Sequence, residues 1–175
     1  MSEAQPSIAS QRSLIGLGVF LVICFGASFI GNAFTQPNLG WYASLTQPGF
    51  TPPNSVFPIV WTILFAMMAV SAWLVWRGDG DDGDKRIALM WFGIQLVLNV
   101  LWSFAFFQMQ SPLFGLAVIL LLLLAVVITI VVFDRISRAA ALLLLPYVLW
   151  VGFATGLNFA LWALNSGVLG TQGPA

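Results

Sequence analysis

Long runs of apolar residues alternate with short polar segments along this chain of 175 residues. Because an apolar α-helix needs about 20 residues to cross a bilayer, the pattern predicts an all-α integral membrane protein. The predicted fold is a bundle of five transmembrane helices over residues 14–165, between a short polar N-terminal segment (1–13) and a C-terminal tail (166–175). The five predicted spans are residues 14–34, 56–76, 87–109, 113–133 and 139–164. The first apolar run is predicted to be a transmembrane span and not a cleaved signal peptide, because it is longer than the apolar region of such a peptide and lacks a small-residue cleavage site.

Composition supports the membrane assignment, because 60% of the residues are hydrophobic and only 7% are charged. Water-soluble proteins carry about 25% charged residues, so this chain has too few to cover a water-facing surface. The formal net charge is zero. Since binding to nucleic acid depends on neutralising phosphates with basic residues, no nucleic-acid partner is predicted.

The charged residues are confined to alternate polar segments. Segments 1–13, 77–86 and 134–138 hold all six acidic and all six basic residues, whereas the first loop (35–55), the turn near 110–112 and the C-terminal tail hold none. With five spans, the charged segments fall on one side of the membrane. The positive-inside rule then predicts a cytoplasmic N-terminus in a bacterial inner membrane, although the sequence does not name the membrane.

Residues for metal or acid–base chemistry are scarce. There is no histidine, and no Asp or Glu lies inside an apolar run, so no metal site and no cofactor are predicted. The segment "RGDGDDGDKR" has acids at alternate positions but lacks the downstream Glu of a calcium loop, which favours a solvated turn. The single Cys24 excludes a disulfide framework.

Amides and aromatic residues recur at helical spacing in two of the spans. The third span carries Gln95, Asn99, Trp102 and Phe106 on one face, and the fifth carries Tyr147, Trp150, Ala154, Asn158, Leu161 and Asn165. One interpretation is that these residues join helices to one another through hydrogen bonds and packing. The other is a pocket wall, in which aromatic faces hold a flat apolar ligand and amides bind its polar edge.

Two further features bear on such a pocket. Pro146 is predicted to kink the fifth span and widen the bundle beside Trp150. The stretch "WYASLTQPGFTPP" at residues 41–53 is uncharged, aromatic and rich in proline. The first loop that contains it (35–55) is therefore predicted to be a lid over the pocket; an aromatic belt at the membrane interface is the alternative. Small-residue pairs occur in two spans: Gly152 and Gly156 form a GxxxG pair in the fifth, and Ala27 and Gly31 form a weaker pair in the first. Either pair allows internal packing or dimerisation.

Three motifs occur in order along these spans: "WYASLTQPGFTPPNSVFPIVWTILF" (41–65), "QLVLNVLWSFAFF" (95–107) and "PYVLWVGFATGLN" (146–158). Together they resemble the TspO/MBR family of tryptophan-rich sensory and translocator proteins over nearly the whole chain. The resemblance implies a five-helix bundle, a homodimer, and ligands such as protoporphyrin IX, sterol-like molecules and synthetic isoquinoline or benzodiazepine compounds.

The resemblance also implies a pocket under the first loop, lined by Trp41, Tyr42, Trp61, Asn99, Trp102, Trp150, Phe153, Ala154 and Asn158. Tyr147, from the stripe in the fifth span, completes the predicted set. Phe159 and Ala163 stand where the vertebrate members carry the Tyr and Arg of a cholesterol motif, so an animal-type steroidogenic role is not supported.

Three classes of function remain open from the sequence: a ligand-binding sensor or regulator, a transporter of porphyrins or lipids, and a light-dependent porphyrin-degrading enzyme. The first is preferred, because no inverted repeat suggests transport and no acid, base or metal supports conventional turnover. No catalytic residue is assigned with certainty; Trp61 and Trp150 are the candidates if the chemistry is photo-oxidative. Without histidine, tetrapyrrole binding is predicted to be independent of metal.

Overall fold

A computed structural model of the protein describes residues 8–167. Over that range all the regular elements are helical, as the apolar runs predict. The α-helices are α1 (Ile8–Thr35), α2 (Leu39–Ser44), α3 (Val56–Arg77), α4 (Asp82–Ser103), α5 (Pro112–Asp134), α6 (Arg138–Leu143) and α7 (Leu145–Asn165). A 3₁₀-helix, Gln36–Asn38, joins α1 to α2, and a π-helix, Phe104–Gln108, continues α4. Residues 1–7 of the polar N-terminal segment, Glu3 among them, lie outside the described range, as do residues 168–175 of the predicted C-terminal tail.

These helices form five units long and apolar enough to cross a membrane, which confirms the predicted fold class. They close into a ring in which α1 lies beside α3, α3 beside α6, α7 beside α5, α5 beside α4, and α4 beside α1. The interior contains large, almost fully buried side chains such as Met68, Phe106 and Tyr147. The opposite helix faces expose Leu, Ile and Phe side chains, as expected where lipid surrounds the protein.

The two ends of the bundle differ in charge, as the sequence predicts. At one end, which we call the neutral end, the first loop meets the other uncharged segments: Asn38 hydrogen-bonds Gln110, and Thr46 hydrogen-bonds Asn165. At the other, the charged end, the turn before α4 lies against the turn after α5, because a Cβ placed on Gly80 would lie 3.1 Å from Ile136.

Two segment boundaries differ from the predictions. The segment predicted as a solvated turn is a turn only over residues 78–81, because α4 begins at Asp82. The Asp81 carboxylate accepts a hydrogen bond from the Gly83 N–H, and Asp82 and Asp84 lie in the first turn, where acidic side chains stabilise a helix. The first loop is also partly helical, since the 3₁₀-helix and α2 occupy residues 36–44.

Both spans that carry the amide–aromatic stripes are irregular. The fifth span is interrupted at Leu144, two residues before Pro146. Proline has no N–H to donate to the preceding turn, so the helix is disrupted here, as predicted. The third ends in the π-helix, where the Met109 N–H donates to the Phe104 carbonyl, five residues earlier. Nothing in the sequence pattern predicted this second irregularity, which turns Phe106 and Phe107 together into the interior.

The two small-residue pairs have different surroundings. A Cβ added to Gly31 would lie 3.2 Å from the Ser103 hydroxyl, so the Ala27–Gly31 pair allows α1 and α4 to approach closely. Added carbons at Gly152 and Gly156 would meet nothing within 4 Å. Within residues 8–167, the GxxxG pair therefore does not serve packing between helices, and the homodimer stays a prediction.

Candidate functional site

The aromatic residues of the first loop cover the neutral end of the bundle. The Tyr42 side chain is 7% exposed and its ring lies against Phe106 and Phe107, at centroid distances of 6.2 and 5.8 Å. The Trp41 ring meets Phe106 edge to face at 5.6 Å. Trp102 stacks on the other side of Phe106, also at 5.6 Å. Two predicted loop residues and one from the third span thus belong to a single aromatic cluster.

Amide side chains fasten this loop at its middle and near its start. At the middle, Asn165 from the end of α7 accepts a hydrogen bond from the Thr46 N–H at 2.9 Å and donates one to the Thr46 carbonyl at 3.1 Å. Near the start of the loop, Asn38 hydrogen-bonds the side chains of Gln108 and Gln110 at 3.4 and 3.1 Å. The loop therefore lies across the bundle end and is attached to two different helix termini.

A chain of buried hydrogen bonds crosses the middle of the bundle. The Asn99 amide donates to the Tyr147 hydroxyl at 3.1 Å, and this hydroxyl donates to the Gln95 side-chain carbonyl at 2.9 Å. The Gln95 amide in turn lies 3.8 Å from the sulfur of Met68. All four side chains are at most 5% exposed. This part of the two stripes joins α3, α4 and α7, as the helix-joining interpretation requires.

A second polar connection lies one helical turn closer to the neutral end. The Trp102 indole N–H donates to the Asn158 side-chain oxygen at 3.1 Å, while the Asn158 amide donates to the Pro112 carbonyl at 2.7 Å. Asn158 is 1% exposed and Ala154, one turn earlier on α7, is 8% exposed. These residues connect the third, fourth and fifth spans; their role in ligand binding stays a prediction.

Open space lies instead between α3 and α7. Before the interruption at Leu144, α6 packs closely on α3; after it, α7 does not. The separation leaves an apolar groove of about 420 Å³, which we call the lateral groove. Its lining residues are Val60, Ile63, Leu64, Met67, Pro146, Leu149, Trp150 and Phe153. Ile63 and Leu149 are 54% and 73% exposed, so the groove opens sideways towards lipid.

The groove is rimmed by aromatic rings at its neutral end. Trp150 packs edge to face on Phe57 at 5.8 Å and lies 5.5 Å from Phe153. Phe50, from the first loop, meets Phe153 at 6.3 Å. Trp61 lies deeper, between Phe65 at 5.7 Å and the Tyr147 ring at 6.3 Å. Trp61 therefore packs against Tyr147, a member of the central hydrogen-bond chain, and is not among the residues that line the groove.

Among the described side chains, two buried polar atoms have no hydrogen-bond partner: the indole nitrogen of Trp150 and the side-chain oxygen of Gln47. Both belong to the neutral half of the protein, Trp150 on the groove wall and Gln47 on the first loop. Buried polar atoms are rarely left without a partner in proteins, because each then carries an uncompensated desolvation penalty. These two atoms are the chemically unusual feature of the region.

The structure places the predicted residues between the middle of the bundle and its neutral end, but divides them between two settings. The interior contains Trp41, Tyr42, Asn99, Trp102, Tyr147, Ala154 and Asn158, whereas Trp150 and Phe153 line the groove and Trp61 packs next to Tyr147. Sequence reasoning missed Gln47 and the α3 wall of the groove. The lining residues do follow the spacing of a helix face, i, i+3, i+4, i+7, at 60, 63, 64 and 67 on α3 and at 146, 149, 150 and 153 on α7. Because both spans are apolar on every face, this spacing does not stand out in the sequence.

Comparison with known proteins agrees with these features. A family model described as the TspO/MBR family matches residues 20–163. The "Tryptophan-rich protein TspO" of Chlorobaculum tepidum is 41% identical over 156 residues, covering 89% of this chain and 99% of that protein. The Archaeoglobus fulgidus protein of the same name is 39% identical, with 88% and 99% covered. The human "Translocator protein" is 35% identical over 141 residues, with 79% of this chain and 83% of that protein covered.

Proposed function

Because this chain belongs to the TspO/MBR family of membrane proteins, we propose that it binds flat apolar molecules, protoporphyrin IX and sterol-like compounds among them, and acts as a sensor or regulator. The binding site in this proposal lies in the neutral half of the bundle, between the lateral groove and the aromatic residues of the first loop. Binding needs neither a metal nor a cofactor, because stacking on indole rings and apolar contact supply the affinity.

The observation that carries this proposal is the lateral groove itself. Its volume of about 420 Å³ falls within the roughly 300–1,000 Å³ range of small-molecule sites. Its walls are apolar, and Trp150 and Phe153 present aromatic faces on which a planar ring system stacks. Lipid-soluble ligands reach it from the membrane, since the rim residues Ile63 and Leu149 are exposed on the lipid side.

A signalling role follows from the attachment of the first loop. Phe50 of the first loop contacts the ring of Phe153 on α7, so a ligand between these two rings changes where the loop rests. The loop is held to α7 by the paired hydrogen bonds of Thr46 and Asn165. In this proposal, ligand occupancy is converted into a position of the loop that a partner protein reads on the neutral side.

The ligand-binding proposal is tested by filling the groove. Met67→Trp puts a larger side chain on the groove wall and is expected to weaken protoporphyrin IX binding at least tenfold, about 1.4 kcal/mol. Met90→Trp, on the exposed face of α4, is the matched control and should leave the affinity unchanged. The measurement is a saturable change in protoporphyrin fluorescence with protein in lipid nanodiscs. Equal affinities for the two variants would contradict binding in the groove.

The other two functions are separated by related measurements. An enzymatic function would be indicated if illumination of the complex yields a new porphyrin product, and if this product is lost when Trp61 or Trp150 is replaced. A transport function would be indicated if protoporphyrin crosses the membrane of sealed liposomes only when the protein is present. Saturable binding without either result supports the sensor proposal.

The predicted orientation has a direct test, because Cys24 is the single cysteine of the chain. In a Cys24→Ala background, Ser44→Cys reports the first loop and Asp79→Cys the charged end; both positions are exposed. We expect a membrane-impermeant maleimide to label Ser44→Cys from outside bacterial cells, and Asp79→Cys only after the cells are opened. Labelling of both positions from the same side would show that the two ends do not face different compartments.

A further inference from the structure

The lateral groove is closed at both of its ends and open along its side. At the inner end, one helical turn beyond Met67, the Ser71 hydroxyl donates to the Ala140 carbonyl at 2.7 Å, and both residues are fully buried. At the neutral end, the Phe57 ring of α3 meets the Trp150 ring of α7 at 5.8 Å. A molecule in the groove therefore enters from the side, where the exposed rim faces lipid.

The depth of the groove follows from its position on α3. This helix has 22 residues and is therefore about 33 Å long, close to the roughly 30 Å of hydrocarbon in a bilayer. The residues of α3 that line the groove lie four to eleven positions after Val56, the first residue of α3 at the neutral end, which is about 6–16 Å along the helix. Because one leaflet supplies about 15 Å of hydrocarbon, the groove lies among the acyl chains of the leaflet at the neutral end, which we call the neutral leaflet.

The shape and the chemistry of the groove match a hydrocarbon chain. Its walls are stripes within residues 60–67 on α3 and 146–153 on α7, so it runs along the helices, in the direction that acyl chains take in a bilayer. Every described side chain in its lining is apolar except for Trp150, whose indole N–H is enclosed by protein. The lining therefore offers contacts to methylene groups, but it offers a headgroup neither charge nor an open hydrogen-bonding atom.

Neither water nor a void suits this position. A buried water molecule needs about two to four polar partners, which the described lining does not supply. An empty groove of about 420 Å³ would leave the lining side chains without contact atoms on one side. Hydrocarbon surrounds the opening of the groove, so an acyl chain is the molecule available to fill it.

We propose that one acyl chain of a phospholipid in the neutral leaflet occupies the lateral groove, and that a ligand binding there displaces this chain. The occupancy goes beyond the proposed function, whereas the displacement rests on it. Lipid tails are as apolar as the groove, so no hydrophobic gain holds the chain in place. The chain is retained because it packs more closely against the fixed side chains of α3 and α7 than against other, mobile chains.

A photoreactive phospholipid tests the occupancy. The probe carries a diazirine in the middle of one acyl chain, and the labelled residues are identified by mass spectrometry after illumination in nanodiscs. We expect Met67 and Trp150 to be labelled about fivefold more than Leu120 and Leu121, the effect of about 1 kcal/mol of packing free energy. Leu120 and Leu121 are the matched reference, because they lie at a similar depth on α5 and are more than half exposed.

Two changes should remove this preference. Met67→Trp narrows the groove and should lower the labelling of Trp150 to that of Leu120, whereas Met90→Trp, on the exposed face of α4, should leave it unchanged. Saturating protoporphyrin IX should lower the labelling of Trp150 in the same way in the wild-type protein. A probe with its diazirine next to the headgroup is a second control and should show no preference, because the groove lies below the headgroups.

Equal labelling of the groove residues and of Leu120 and Leu121 would overturn the inference, whether or not protoporphyrin IX binds. Undiminished groove labelling at saturating protoporphyrin IX would overturn the displacement. Groove residues that are protected from the probe and cross-link to a second copy of the chain would assign the groove to a dimer interface and overturn the occupancy. If protoporphyrin IX does not bind at all, the proposed function fails, and the labelling preference alone decides whether an acyl chain occupies the groove.

Discussion

Replacing Phe106 with alanine is expected to lower the free energy of unfolding by about 2–3 kcal/mol, at or below the lower limit of the roughly 3–5 kcal/mol that Phe→Ala costs in the core of a soluble protein. Phe106 is 2% exposed and contacts Trp41, Tyr42 and Trp102 at ring distances of 5.6–6.2 Å. Its removal leaves a cavity under the first loop. The loss is smaller than in a soluble protein, because separated helices remain in lipid and only the packing contribution disappears.

Phe104 provides the control for this experiment. It lies in the same π-helix, but its side chain is 39% exposed and pairs only with the Phe34 ring, at 5.3 Å. Phe104→Ala should change the unfolding free energy by less than about 1 kcal/mol. Unfolding is followed by circular dichroism during SDS titration in mixed micelles. Similar losses for both variants would mean that the aromatic cluster contributes little to stability.

Gly115→Leu is expected to be at least as disruptive, at about 3 kcal/mol or more, because the site has no room for a side chain. A Cβ at this position would lie 2.8 Å from the Phe106 ring and 2.9 Å from the Asn158 side-chain oxygen. The added carbons would displace the hydrogen bond from Trp102 to Asn158. The variant should unfold at lower SDS and show altered tryptophan fluorescence.

Gly26→Leu makes the same change on the exposed face of α1, where an added Cβ meets nothing within 4 Å. This variant should unfold like the wild-type protein. A stable, fully folded Gly115→Leu protein would show that α5 and α7 are free to move apart at this point, contrary to the close packing in the structure.

The sequence was sufficient for the fold because hydropathy and charge vary on the length scale of a whole membrane span. Twenty-residue apolar runs and charges in alternate segments are signals that single residues do not obscure. The start of α4 was misplaced because glycine and aspartate disfavour a helix interior, whereas the capping carboxylate of Asp81 and the acidic first turn favour a helix start. Here the local capping outweighed the composition.

The site was less predictable, because spacing places a residue on a helix face without giving its partner on another helix. The stripes correctly grouped Asn99 with Trp102 and Tyr147 with Asn158, but the pairing of Asn99 with Tyr147 depends on how far α4 and α7 are shifted along each other. The lining of the lateral groove could not be predicted for another reason. An apolar stripe cannot be distinguished from the other faces of a helix when all of those faces are apolar.

Gln47 shows the same limit in a loop. A glutamine between Thr46 and Pro48 looks like an ordinary surface residue in the sequence. Only the folded chain shows that its amide nitrogen is occupied by the Tyr42 carbonyl and that its oxygen is enclosed.

The sideways opening of the lateral groove changes how affinity for this protein must be expressed. A hydrophobic ligand dissolves first in the surrounding acyl chains, where its local concentration exceeds that in water by its partition coefficient. In the proposed function, such a ligand would reach Trp150 from the bilayer interior, past the exposed Leu149, without being rehydrated. The governing variable is therefore its mole fraction in the membrane, so a dissociation constant quoted per litre of buffer will vary with the amount of lipid or detergent present.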